Sequence, residues 1–132
     1  MPRRPNSFTQ DKDRLDTALT AAQAATGSTW LGTVDGDYVV DKFEVEIPGG
    51  YTADDTNYYT ITLQAGAVVL ATLTLKITGG FGNVVDLVGA AATLAANPTG
   101  ASGDNLKVVM TKTAAAVNLP IGTRFVAHIH QL

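Results

Sequence analysis

Residues 54–80, DDTNYYTITLQAGAVVLATLTLKITGG, decide the fold because polar and apolar residues alternate along most of this stretch. In its first half, Tyr59, Ile61 and Leu63 share one face. In its second half, the odd-numbered positions 67–77 are apolar, and threonine dominates the even-numbered ones. A period of two residues is typical of a half-buried β-strand. The stretch therefore predicts two antiparallel strands that each bury one face.

The turn between these two strands follows from their phase. Directly paired residues share a face of the sheet, so both partners must be odd-numbered here. Pairing Leu63 with Ala67 meets this condition and leaves residues 64–66 as a three-residue loop that ends in Gly66, where a left-handed conformation is wanted. A two-residue loop would pair Gln64 with Ala67 and place glutamine in the core. We therefore predict the three-residue loop.

Three further segments alternate in the same way, and Gly, Pro, Asn and Asp turn signals lie between them. Residues 84–96 leave helix and strand both open, because the segment is rich in alanine but contains Gly89 and several valines. Six or seven short strands predict an all-β fold: an antiparallel β-sandwich of jelly-roll or Ig-like type, or a small barrel. The apolar faces of the three segments are Phe43, Val45 and Ile47; Leu106, Val108 and Met110; and Phe125, Ala127 and Ile129.

The N-terminal residues follow a different pattern. Pro2 and Pro5 predict an extended arm over residues 1–9, and residues 11–26 predict a short helix that ends at Gly27. Apolar residues recur there at three- and four-residue spacing, but the stripe is too thin to hold a helix by itself. It must dock either on its own domain or on a neighbouring subunit. We therefore divide the chain into an arm and helix (1–28) and a β-sandwich domain (29–132). The stripe is Leu15, Ala18, Leu19 and Ala22.

Composition restricts the function classes. The 132 residues fit one domain that can build a core without metal or disulfides, and there is no cysteine. A net charge of −3 with 16% charged residues does not suggest nucleic-acid binding. The N-terminus lacks the apolar region of a secretory signal, and no apolar run is long enough for a membrane helix. We expect a soluble protein with no cofactor.

Candidate metal and phosphate sites are weak. His128 and His130 face the same way on a predicted strand, which allows a metal pair, but a surface or subunit-interface role needs no third ligand. Residues 35–37 and 53–57 are acidic but lack the spacing of a calcium loop, and Asp in such places usually holds a tight turn. The glycine-rich residues 79–83 lack the lysine of a phosphate loop.

The sequence also gives little support for catalysis or glycan binding. Serine catalysis needs a base beside the nucleophile, and both histidines lie on the final predicted strand, so we expect no enzyme. Glycan binding would need exposed aromatic rings, whereas most of the rings here are more simply core or rim residues. The candidate stacking residues are Trp30, Tyr38, Tyr51, Tyr58 and Tyr59.

Two blocks of the sequence are similar to a known family. TADDTNYYTITLQAG followed by LATLTL, and then GDNLKVVMTKTAAAVNLPIGTRFVAHI, resemble segments of tailed-bacteriophage capsid decoration (head cement) proteins. The likeness covers residues 38–130 and lies in three turns that each lead into a strand. The sequence departs from the family pattern at Asn105 and Lys107, where more apolar residues are usual, and in its long N-terminal extension. The turns are Asp55-Thr56-Asn57-Tyr58, Ser102-Gly103-Asp104 and Leu119-Pro120-Ile121-Gly122.

The resemblance implies a non-enzymatic β-sandwich made in the host cytoplasm. It would bind the major capsid protein on the outer surface of the virion, as a homotrimer that bridges capsomers and stabilises the shell, with no nucleic acid or membrane partner. The alternatives are a head-fibre or tail component that contacts the host, and a glycan-binding module. Val68 and Leu70, which are apolar on an otherwise polar face, suit either a subunit contact or burial near the loop. The expected partner-binding residues are Arg3, Arg4, Phe8, Leu15, Leu19, Val68 and Leu70.

Overall fold

The computed structural model describes residues 12–21, 26–76, 88–113, 116 and 118–132, and this part of the chain forms two antiparallel β-sheets. The first sheet has the strand order β1-β10-β3-β6, with β8 beside β3, and the second has the order β2-β9-β4-β5-β7. The strands are β1 (Lys12–Ala18), β2 (Gly27–Thr33), β3 (Tyr38–Ile47), β4 (Tyr59–Ala65), β5 (Val68–Thr74), β6 (Val88–Ala91), β7 (Thr93–Leu94), β8 (Thr99–Gly100), β9 (Asn105–Lys112) and β10 (Arg124–Gln131).

The all-β, antiparallel prediction is confirmed, while the type of sandwich stays a prediction. The described residues contain no helix, and hence none that is long and apolar enough to span a membrane. The segment that left helix and strand open forms β6 and β7 where it is described, from residue 88 onward.

One hydrophobic core lies between the two sheets, because both sheets turn their apolar faces toward it. The predicted apolar triplets of β3, β4, β9 and β10 are all buried members of this core, so those face assignments are confirmed. Full burial of each large aliphatic or aromatic side chain contributes about 1.5–3 kcal/mol. The period of two within these apolar triplets is therefore the main reason that the chain folds as it does.

The predicted helix is wrong where the structure describes it, because residues 12–18 form strand β1. This strand pairs with β10 along its whole length, from Lys12 opposite His130 to Ala18 opposite Arg124. Leu15 and Leu19 are four residues apart, so they lie on the same side of an extended chain, and both pack against the core. A strand therefore buries them as well as a helix would. Pairing with β10 supplies the ladder hydrogen bonds and outweighs the local helix propensity. The predicted boundary between residues 28 and 29 falls inside β2, and the predicted arm lies outside the described residues.

The β4–β5 turn also differs from the prediction. Ala65 pairs with Val68, so the turn has two residues, and Gly66 takes the predicted left-handed conformation with φ +61°. A β-bulge at Leu70 keeps Leu63 and Gln64 on their predicted faces despite the shorter turn. Leu63 pairs with Ala71 and Gln64 pairs with Val69, so Leu70 is the extra residue of β5. Gln64 thus stays on the outer face. The prediction failed because it assumed an unbroken ladder.

The strands begin and end at two opposite ends of the molecule. At the Leu132 end, β1, β3, β5 and β9 begin and β2, β4 and β10 end. Hydrogen bonds join the loops there: Val34 N donates to Asp104 O (2.8 Å), and Leu132 N donates to Asp37 O (2.9 Å). At the opposite end, the Ile121 end, the turn before β10 is bound to Leu19, which donates to Thr123 O at 2.8 Å.

Candidate functional site

The outer face of the first sheet is charged, and its charges bind one another. Arg14 and Arg124 both contact Asp16, with guanidinium-to-carboxylate distances of 2.9 and 3.4 Å. The Nε of Arg124 also lies 3.9 Å from Glu46. Each side chain is part-exposed, so a single pair contributes about 0–1 kcal/mol. The pairs tie β1, β10 and β3 together across the face.

The two histidines lie on this same face, and each one contacts a carboxylate of β3. His128 Nε2 is 3.2 Å from Glu44 Oε1, and Lys42 Nζ is 3.3 Å from the other oxygen of Glu44. His130 Nδ1 is 2.8 Å from Asp41 Oδ1. The two imidazoles therefore contact separate carboxylates. Within the described ranges, no group of three or more His, Cys, Asp or Glu side chains is arranged to hold a metal ion.

The outer face of the second sheet is chemically different, because hydroxyl, amide and apolar side chains cover it. Strand pairing places its residues in three rows that run across the sheet. Lys107 is the only charged member of these rows. The side chains are exposed or part-exposed, so the face is open to solvent. We call it the threonine face; its rows are Trp30, Lys107, Gln64 and Val69; Ser28, Val109, Thr62, Thr72 and Thr93; and Thr111, Thr60 and Thr74.

Trp30 stands at the edge of the threonine face and is 59% exposed. The ammonium of Lys107, its direct partner on β9, lies over the indole ring at 5.6 Å from the centroid. This distance is within cation–π range, where an exposed pair contributes about 0.5–1 kcal/mol. The contact restricts the orientation of the ring. Of the candidate stacking residues, Tyr38, Tyr51 and Tyr59 are buried in the core. Trp30 is exposed, and Tyr58 is part-exposed with the ammonium of Lys76 over its ring at 4.4 Å.

Exposed apolar residues also occur at the Leu132 end. Val68, at the β4–β5 turn, is 58% exposed, and Leu132 is 76% exposed. The chain enters β1 at this end as well, since Lys12 pairs with His130. The structure thus places Val68 at the same end as the point where the N-terminal segment joins the sheet. No pattern in the sequence indicated this, because it depends on how the two sheets are joined.

The loops at the Leu132 end are held by acidic side chains. Asp104 Oδ2 accepts hydrogen bonds from the Tyr38 hydroxyl (2.9 Å) and from Ala101 N (3.0 Å). Burial, with a further effect of the nearby Asp104 carboxylate, raises the pKa of Tyr38. A Cβ at Gly100 would overlap both the Tyr38 hydroxyl and Asp104, so glycine is required for this close approach. Asp37 Oδ1 accepts from Ser102 N at 3.1 Å.

The second acidic stretch is also a turn, as predicted. Asp54 Oδ1 accepts hydrogen bonds from Thr56 N (2.6 Å) and Asn57 N (3.0 Å). The N–H groups of Asn57 and Thr56 lower the pKa of Asp54, because they stabilise the carboxylate. This is the local turn stabilisation that Asp side chains provide before a strand.

The predicted partner-binding residues have different positions. The prediction of Leu70 as a partner-binding surface residue is wrong, because Leu70 is fully buried in the core. Burial near the loop was the other possibility that the sequence left open. Leu15 and Leu19 are part-buried against the core of their own domain, and Val68 is exposed. Arg3, Arg4 and Phe8 lie outside the described residues.

Comparisons with known proteins give little. No family model matches the chain, and no curated protein matches it. Among solved structures, a chain from Desmodium yellow mottle tymovirus is similar, with 13% sequence identity over 91% of this chain and 79% of that chain. The TM-score of 0.39 is too low to carry any conclusion about this chain.

Proposed function

We propose that this chain is a non-enzymatic structural protein of a tailed-phage virion, which binds the outer surface of the assembled capsid and stabilises it by bridging capsomers. The sequence resemblance supports this proposal, and the structure is compatible with it. Two of the three turns that carry the resemblance come directly before β4 and β9, and the third ends one residue before β10. A bridging protein needs a stable body and surfaces for contact, and it needs no reactive group.

The Leu132 end is the proposed contact surface with the major capsid protein. The observation that carries this assignment is the meeting of exposed Val68 and Leu132 with the entry of the N-terminal segment at one end of the sheets. Burying each of these side chains would contribute on the order of 1–2 kcal/mol. Arg3, Arg4 and Phe8 precede this entry point in the sequence, and the proposal includes them as capsid contacts. The homotrimer stays part of the proposal on the resemblance alone.

The charged face of the first sheet suits this role poorly as a contact surface. Asp16, Glu44 and Glu46 already have lysine or arginine partners, and burying them against another protein would desolvate each ion pair. Exposed apolar side chains carry no such penalty. We therefore place the capsid contact at the Leu132 end.

The test is direct binding to purified shells. The full chain is mixed with expanded, DNA-free capsids, and bound protein is measured by sedimentation together with the melting temperature of the shell. We expect saturable binding at a ratio that matches the symmetry of the capsomers, and a higher shell melting temperature. No association at saturating protein would refute the proposal. Recovery from virions at a ratio that matches the tail would favour the tail alternative.

A further inference from the structure

We propose that the threonine face binds a neutral glycan, with Trp30 as the ring on which a sugar stacks. This activity goes beyond capsid binding, and it uses a different surface from the Leu132 end. It depends on the observed register of the second sheet, which brings residues from five strands into adjoining rows.

The charge of the face selects the class of ligand. No carboxylate occurs in the three rows, although the chain as a whole has a net charge of −3. The one cation within the rows, Lys107, lies over the Trp30 ring, and the ammonium of Lys76, two residues beyond Thr74, lies over the Tyr58 ring at 4.4 Å. A polyanion would find two separate ammonium groups, each already over an aromatic ring, and no arginine fork, and a cationic partner would find no acceptor of opposite charge. A neutral ligand loses no ionic hydration on binding here, so it fits the face best.

The hydrogen-bonding groups suit a polyhydroxylated ligand. Thr60 and Thr62 of β4 are directly opposite Thr74 and Thr72 of β5. Neighbouring strands lie about 4.8 Å apart, and alternate residues along a strand lie about 6.7 Å apart, so these hydroxyls form a regular array. Each threonine hydroxyl can both donate and accept a hydrogen bond, as a sugar hydroxyl can. The amide of Gln64, which donates to Thr62 Oγ1 at 2.9 Å, links the array to the row of Trp30.

Trp30 supplies the apolar contact that hydroxyls cannot provide. A sugar ring has a face of C–H groups, and a flat indole beside a row of hydroxyls can cover this face while the hydroxyls bind the ring edges. The Lys107 contact limits the rotation of the indole, so less conformational entropy is lost when a ligand stacks. A protein partner could also cover an exposed tryptophan, and the experiment separates the two cases.

Affinity electrophoresis of the full chain tests the inference, with dextran, mannan and xyloglucan as neutral probes and polygalacturonate as the anionic one. The chain has one tryptophan, so its intrinsic fluorescence reports directly on Trp30. We expect retardation by at least one neutral probe with a fluorescence change, and none by polygalacturonate. Trp30→Ala should weaken binding at least tenfold, and Thr62→Val should weaken it several-fold at an unchanged melting temperature.

Ile121→Ala is the matched control, since Ile121 is 62% exposed but lies on the turn before β10, at the opposite end from Val68. It should bind glycan as the wild type does. Retardation by no neutral probe would overturn the inference, as would a Trp30→Ala protein that binds as well as the wild type. Loss of capsid binding in Trp30→Ala without any glycan binding would identify the face as a protein contact. Capsid binding by this variant at the wild-type level is expected, so the two proposals fail separately.

Discussion

Leu70 and Val68 lie two residues apart on β5, and the sequence predicted both on the polar face. The bulge turns both toward the core side, where Leu70 is buried while Val68, next to the turn and opposite Ala65, stays exposed. Replacing each one by alanine therefore tests the bulge. Leu70 is 0% exposed and belongs to the core, while Val68 is 58% exposed. The two substitutions should have very different effects on the free energy of unfolding.

The magnitude follows from burial. Leu70→Ala removes three carbon atoms, and their transfer accounts for about 2.4 kcal/mol at about 0.8 kcal/mol for each one. The cavity left in a packed core adds to this cost, so we expect about 3–4 kcal/mol in all. For a chain of this length, that corresponds to a melting temperature lower by roughly 10–15 °C. Val68→Ala leaves no cavity, and it should change stability by less than about 0.5 kcal/mol.

Urea unfolding of both variants, followed by circular dichroism, measures the difference, provided that the slopes with denaturant are unchanged. A Leu70→Ala protein as stable as Val68→Ala would refute the bulge and return Leu70 to the surface. Equal, large losses in both variants would show that Val68 also belongs to the core.

Three further predictions concern stability. Gly100→Ala should destabilise the fold by about 1–3 kcal/mol, because its Cβ would overlap the Tyr38 hydroxyl. A Cβ at Gly89 would lie 3.9 Å from its nearest neighbour, so Gly89→Ala should cost much less, and thermal melts of the two variants measure the difference. Burial raises the pKa of Tyr51 to about 12, so the contribution of its neutral hydroxyl to stability is complete below pH about 10 and is lost as the pH rises toward 12. Wild-type stability should therefore fall more steeply over this range than that of Tyr51→Phe, and the same pH dependence in both proteins would contradict this. Because the pKa of Asp54 is lowered in the folded state, its carboxylate stabilises the fold above pH about 4, and this stabilisation is lost as the pH falls through the lowered value. Asp54→Ala should therefore reduce the free energy of unfolding more at neutral pH than in acid. A loss that does not depend on pH would count against the turn.

The core could be read from the sequence because burial and a period of two reinforce each other. Phe43, Val45 and Ile47 face the core, as the pattern predicts, and Glu44 and Glu46 lie on the opposite face. Each of these assignments needs only the residues of one strand. The alternation fails at Leu70, where a bulge shifts the phase and no local residue type announces it.

The helix prediction failed for a related reason. Leu15 and Leu19 are spaced for one face of a helix and equally for one face of a strand, since a spacing of four suits both periods. The partner strand β10 decides between them, and it lies more than a hundred residues along the chain. Non-local pairing of this kind cannot be inferred from a local window.

The candidate surfaces required the register between strands. Threonine at even positions in β4 and β5 predicted a polar outer face, but the row from Trp30 through Lys107 and Gln64 appears only when β2, β9 and β4 are aligned. The contact between Lys107 and the Trp30 ring depends on the same alignment.

The most direct test of the capsid-binding proposal is a comparison of Val68→Asp and Ile121→Asp in cosedimentation with expanded capsids. Both side chains are similarly exposed, at 58% and 62%, but only Val68 lies at the Leu132 end. Each variant should fold as the wild type does. We expect Val68→Asp to bind capsids at least tenfold more weakly, and Ile121→Asp to bind normally. Equal binding by both variants, or a loss confined to Ile121→Asp, would contradict the proposed contact surface.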